Sequence, residues 1–354
     1  MKKLKYLLST VLVLTFTLTG CGNSETSEKS SDSKESTKLV VSTWGYNEDK
    51  LRKNVFEPFE KANNCKIVLE VGNNSERLNK VKSMPGAVDV IFLADSYSIE
   101  GIEKGLFEKI NKDNVPNIKD IYDVAKSAMG DGYGPAYTIN RTGIIYDSKS
   151  ITTPIKSWND LWRSDLKGKV SIPEVNATAG PALIEVAANK AGVKLSGNTD
   201  KVFKEISALK PNIVKTYSKS SDFVNMFSQG EISVGVVQDF VSAKIKEAVP
   251  TAQWAELKDG NYANLNTINV VKGSKNKELA EKFIDWCLSE KVQKANALDK
   301  IDSPVNVNVT LTAEEAKGLT YGKDIINNLK VIDWKQYNSA KAGIIDKWNA
   351  ELSK

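Results

Sequence analysis

The sequence predicts an α/β protein built as two lobes. Three observations carry this. From residue 39 to 105 short β-rich runs alternate with segments of helical period, the βαβαβα rhythm of a mostly parallel sheet. Fresh strand material then begins near residue 143, and a second alternating set runs to about 262. Finally, residues 268–271 and the helical stretch from 277 again resemble the first unit. A chain of 354 residues with 41% hydrophobic content supports two ordinary cores.

The elements follow in order. Residues 39–43 (LVVST) read as a strand, and Leu51, Val55, Phe56 and Phe59 recur at helical spacing within 49–62. Residues 66–71 (KIVLEV) form a second strand and 75–83 a short helix. The run 88–93 (VDVIFL) is almost continuously apolar, as a central parallel strand requires. A helix over 98–105 is stopped by Gly105. The segment 134–139 breaks this rhythm, and strands at 143–147, 169–173 and 232–237 with helices at 181–191, 200–209 and 222–230 make the second lobe. The return at 268–271 and 277–289 implies two crossings between lobes, the geometry of a hinged pair closing over a cleft. The expected division is residues 39–138 plus 264–305 for lobe 1, and 139–263 plus 306–354 for lobe 2 and the C-terminal helices. The tail from 312, with Trp334, Tyr337 and Trp348, is expected to be helical and to pack on a lobe surface.

Composition excludes several chemistries. With no histidine, a His-dependent triad, a His-ligated metal and a His-ligated haem are ruled out, and no cofactor is expected. Arginine is the usual bidentate reader of guanine edges and phosphate. Only Arg52, Arg77, Arg141 and Arg163 occur among 49 basic residues, so no nucleic-acid partner is expected. No GxSxG elbow or other nucleophile–base context is present, so the chain is not expected to be an enzyme.

The N-terminus reads as an address. Lys2, Lys3 and Lys5 precede an apolar stretch over 7–18, too short to span a bilayer comfortably. It ends in Leu18-Thr19-Gly20-Cys21, which resembles the bacterial lipobox and implies cleavage before a lipidated Cys21; the alternative is an ordinary signal peptide with an incidental cysteine. Residues 22–38 hold no aromatic or aliphatic side chain and so read as a flexible tether. Removing residues 1–20 lowers the net charge from +5 to +2. Cys65 and Cys287 are expected as buried free thiols, since nothing in the sequence brings them together.

With these features stand the runs VDVIFLADSYSIEGIEKGLFEKI (88–110), YGPAYTINRTGIIYD (133–147), SWNDLW (157–162), LKGKVSIP (166–173), QGEISVGVV (229–237) and VVKGSKNKELAEKFIDWCLSEKVQ (270–293). In this order they resemble the extracellular solute-binding proteins of ABC importers, the group typified by spermidine/putrescine-binding proteins. The resemblance implies a type II periplasmic-binding-protein-like fold with two interlobe crossovers. It further implies a monomer, lipid-anchored outside the cell, that delivers a small solute to a membrane permease and its ATPase.

Ligands of open α/β sheets bind beyond the carboxyl ends of the strands. Trp44 and Tyr46 follow the first strand; Asp95, Ser96 and Tyr97 follow 88–93; Gln238 and Asp239 follow 232–237. Aromatic walls with a carboxylate suit an organic cation. Tyr137, Thr178, Gly180 and Asn266 complete the candidate set; Thr178 and Gly180 precede a helix whose N-terminus favours an anionic group. Each has an alternative. Trp44 and Tyr46 would equally cap the core, Asp95, Ser96, Thr178 and Asp239 would serve as N-caps, and Tyr137 would pack at a crossover.

The polyamine binders of the family carry carboxylates where this chain reads TAGPALIE and NLNTIN. A polyamine is the first expectation for the solute. An aminoalkylphosphonate, an opine or a thiamine-like cation is the alternative, because Asp95 and Asp239 supply only two carboxylates. A non-transport surface sensor or adhesin is the other role open to the same fold.

Overall fold

The computed structural model describes residues 36–45, 47–126, 130 and 132–352. The expected signal peptide, Cys21, the expected tether up to residue 35 and Tyr46 lie outside them, while Thr37 and Lys38, expected to end the tether, instead open the first strand, paired with Cys65 and Lys66. Nine strands, β1 (Thr37–Thr43), β2 (Cys65–Val71), β3 (Val90–Ala94), β4 (Ala136–Asp147), β5 (Val170–Pro173), β6 (Ile213–Tyr217), β7 (Val234–Gln238), β8 (Ala252–Trp254) and β9 (Tyr262–Val270), join in one sheet. Its order is β2-β1-β3-β9-β4-β7-β5-β6, with β8 on β4.

Each half has the same plan. β1 pairs in parallel with β2 and β3, and β5 with β6 and β7. An antiparallel strand then joins each triplet to the other half: β9 lies on β3, and β4 lies on β7. The β9 and β4 strands also pair with each other, from Ala136↔Thr267 to Thr142↔Tyr262. They are the two crossings. Along β4, Ile139 belongs to the first core and Ile144 to the second; along β9, Leu265 belongs to the first and Tyr262 to the second.

The expected strand start at 143 is therefore corrected to one continuous strand over 136–147. The polar triplet Asn140-Arg141-Thr142 hid its continuity. Those residues sit where the strand leaves one apolar core for the other, and the buried Thr142 Oγ1 donates to Asn264 Oδ1 of β9 at 2.6 Å.

The first core gathers Leu39, Val41, Phe59, Ile67, Phe92 and Phe283, and the second Trp158, Val170, Leu183, Ile206, Val236 and Trp348. Residues 48–63 form one helical run with a wide turn at Arg52–Phe56, which brings Val55, Phe56 and Phe59 to bear on the first core. After residue 305 the chain does not pass straight to the second half. Tyr122 N–H donates to Val305 O at 2.9 Å, Val307 N–H to Asp120 O at 2.8 Å, and Ile326 is still part of the first core. Only from Ile332 does the chain join the second core, through the helix Trp334–Leu352, which buries Trp334, Tyr337, Ile344 and Trp348. Cys65 and Cys287 are buried free thiols, as expected.

Candidate functional site

A cleft of about 370 Å³ opens beyond the carboxyl ends of β3 and β5, within the usual size of a small-molecule site. Its first wall comes from two helix starts. Gly72-Asn73-Asn74-Ser75-Glu76 is a capping-box sequence: the Asn73 side chain accepts from Glu76 N–H at 2.9 Å, and Glu76 Oε2 accepts from Asn73 N–H at 3.0 Å. This fixes the start of the helix Asn74–Ser83 and sets Asn73, Asn74 and Ser75 in the wall. The strand β3 ends at Ala94 and passes directly into the helix Asp95–Glu103, which presents Asp95, Ser96 and Tyr97. That helix starts three residues earlier than the sequence predicts.

The second wall follows β5. A turn over 174–179 leads into the helix Gly180–Lys190, whose N-terminus has no side-chain cap and carries Pro181, so it offers neither a competing acceptor nor that residue's N–H. Val175, Asn176, Ala177, Thr178 and Pro181 line the cleft here. The third wall is Trp334, Tyr337, Asn338 and Lys341, spaced i, i+3, i+4 and i+7 on one face of the helix Trp334–Leu352. The sequence reading gave this tail only a packing role. The mixture of aromatic and polar residues along one helical stripe was its available signal.

Among the described lining residues, one carboxylate faces this space. Asp95 is 4% exposed. Burial pushes it up to about 7, against the pull of the Ser96 amide, which donates to Oδ1 at 2.8 Å, and of the Trp334 indole, whose approach falls short of a full hydrogen bond. The donors are more numerous. Asn338 Nδ2 is buried without an acceptor, the Trp334 indole has only its incomplete approach to Asp95, and the Lys341 ammonium stands 5.4 Å above the Tyr97 ring. Unpaired buried donors are costly, and a bound acceptor would satisfy them.

The expected site residues divide. Asp95, Ser96, Tyr97 and Thr178 are brought together in the cleft. Trp44 instead stacks on the Arg77 guanidinium at 4.6 Å and packs on the first core. Tyr137 is core: its ring meets Phe92 edge-on at 4.7 Å. Gly180 faces backbone, since a Cβ there would lie 2.4 Å from Glu174 O, so its smallness serves the tight turn and not a ligand. Asn266 pairs with Ala94 and Thr138 within the sheet, outside the cleft lining. Gln238 ends β7 opposite Thr142. Asp239 is buried in an ion pair with Arg141 Nε at 3.2 Å and accepts from Thr320 Oγ1, so it is already neutralised away from the cleft.

The sequence profile of bacterial extracellular solute-binding proteins matches residues 54–320. The chain belongs to that family. As a solute-binding component of an ABC transporter, it is similar to the spermidine/putrescine-binding periplasmic protein of Escherichia coli K12, at 23% identity over 317 residues, 84% of this chain and 87% of that protein. A Salmonella typhimurium protein named for 2-aminoethylphosphonate binding is 24% identical over 302 residues, 83% of this chain and 85% of its own. The crystal structure of an ABC transporter protein from Clostridium perfringens superposes with a TM-score of 0.83 at 48% identity, covering 89% of this chain and 99% of that one. Among the described residues of this solute-binding protein, no helix is long and apolar enough to cross a membrane.

Proposed function

We propose that this solute-binding protein captures a small solute bearing both an amine and an acidic group, and hands it unaltered to a membrane permease. The observation that carries this reading is the imbalance in the cleft: one carboxylate, Asp95, against the orphaned amide of Asn338, the Lys341 ammonium and an uncapped helix N-terminus. The amine docks on Asp95, and the acid accepts from the donor side. A linear polyamine is the second reading, favoured by the spermidine/putrescine relative. It would bring two or more ammonium groups against the single carboxylate of the described lining, and an uncompensated buried charge costs several kcal/mol.

The lipobox-like Leu18-Thr19-Gly20-Cys21 supports an anchor on the outer face of the cell membrane, and the absence of histidine together with the lack of a nucleophile–base context supports binding without catalysis. The test is calorimetry of the purified protein with 2-aminoethylphosphonate, 4-aminobutyrate, putrescine and spermidine. Saturable binding of an acid-bearing amine, at least tenfold tighter than putrescine, is expected. Tight binding of the polyamines with none of the zwitterions would reverse the assignment.

A further inference from the structure

Behind the first wall lies a charge that, among the described residues, makes no ion pair. Arg77 is fully buried at the carboxyl ends of β1, β2 and β3. Among the described residues its guanidinium bonds only neutral acceptors: Nε donates to Gly72 O at 2.9 Å, Nη1 to Ser42 O at 3.2 Å and to Phe92 O, and Nη2 to Asn74 Oδ1 at 3.2 Å. The nearby acid, Glu70, is taken by Lys80 at 3.2 Å and by Ser42 Oγ, and makes no bond to Arg77. The Trp44 ring covers one face of the guanidinium. Burial holds Arg77 down to about 10, against the opposing fields of Tyr137 and Glu70, which offset it only in part. A buried cation without a carboxylate partner is expensive, and proteins seldom keep one without a use.

Asn74 connects this charge to the cleft. Its Oδ1 accepts from both Arg77 Nη2 and Ala94 N–H, each at 3.2 Å. Two donors on one atom fix which end of the amide is oxygen, so the Nδ2 hydrogens are left for the cleft that Asn74 lines. The capping box at Asn73 and Glu76 holds the backbone that carries the pair.

We infer that Arg77 and Asn74 form the subsite for the solute's acidic group, Asn74 donating to it directly and Arg77 acting behind it as a positioning residue and fixed positive charge. This rests on the proposed reading of the cleft and adds the residues that choose the acid. Asn74→Asp is the decisive variant, because it keeps the shape and both incoming hydrogen bonds, gives Arg77 an ion-pair partner, and deletes the outgoing donor. The expected result is a melting temperature equal to or above that of the parent, 2-aminoethylphosphonate binding weakened at least about tenfold, and putrescine binding unweakened. Asn74→Ala, which adds no charge, should also weaken the aminophosphonate and spare putrescine.

Aminophosphonate affinity within about twofold of the parent in both variants overturns the subsite while leaving the zwitterion reading intact. A lower melting temperature for Asn74→Asp also overturns it, since Arg77 would then already be compensated. A parent protein that binds putrescine and no acid-bearing probe overturns the subsite and the reading beneath it together.

Discussion

Asp95 and Asp239 occupy the same place in the sequence pattern, each just after an apolar strand, yet of the two only Asp95 lines the cleft. The difference is a partner no local pattern shows. The antiparallel register that sets Thr142 opposite Gln238 brings Arg141 onto Asp239, whereas the described residues place no cation against Asp95. The consequence is a pH dependence of defined sign. The folded protein holds the Asp95 proton up to about 7, while an unfolded carboxyl releases it near its ordinary value of 3.8. Between those values the folded state binds more protons, so this contribution to stability is complete below 3.8 and is lost as pH rises through 7. Asp95→Asn should therefore melt higher than the parent at pH 8, by several degrees at roughly 2–4 °C per kcal/mol, with the gap closing towards pH 4. A gap independent of pH would show that Asp95 ionises normally. The same residue makes amine binding release a proton, so affinity for an amine should rise between pH 6 and 8 in the parent and lose that dependence in Asp95→Asn.

Among the elements, those with a strong single period were legible. The helices Gly180–Lys190, Thr199–Leu209 and Lys277–Leu288 lie within a residue or two of the segments their apolar spacing marks. Two elements were not legible for physical reasons. Strand β4 changes core midway, so its burial pattern breaks at Asn140 and Arg141 although its hydrogen bonding does not. The helix Trp334–Leu352 splits its residues between core and cleft: Ile344 and Trp348 serve packing only, whereas Trp334 and Tyr337 serve both. An aromatic that fills a core and lines a site gives the same signal in sequence as one that only fills a core. Trp334→Phe separates the roles. It keeps an aromatic ring and removes an indole N–H that leans on Asp95 without completing a hydrogen bond, so the melting temperature should hold while affinity for an acid-bearing amine falls about tenfold. Unchanged affinity would assign Trp334 to packing alone.

At the scale of the whole molecule, the lobed plan followed from the restart and return of strand patterns, while the exact course of residues 306–329 did not, because it depends on backbone pairing with Asp120 and Tyr122. The two halves are tied at the crossing by Arg141 of β4, Asp239 beyond β7 and Thr320 of the returning chain. Removing one member strands a buried charge, so Arg141→Met should cost about 3–5 kcal/mol in denaturant unfolding. Solute affinity measured where the variant remains folded should stay within about threefold, because the tie lies outside the cleft lining. A large loss of affinity in that folded variant would restore Asp239 to the site.

The three walls of the cleft come from residues 73–97, 175–181 and 334–341, so its third side is translated only after the other two. A nascent polypeptide, or one cut short by a stop codon before Trp334, possesses the first two walls and lacks the third. Closing the cleft on three sides thereby waits on the helix Trp334–Leu352.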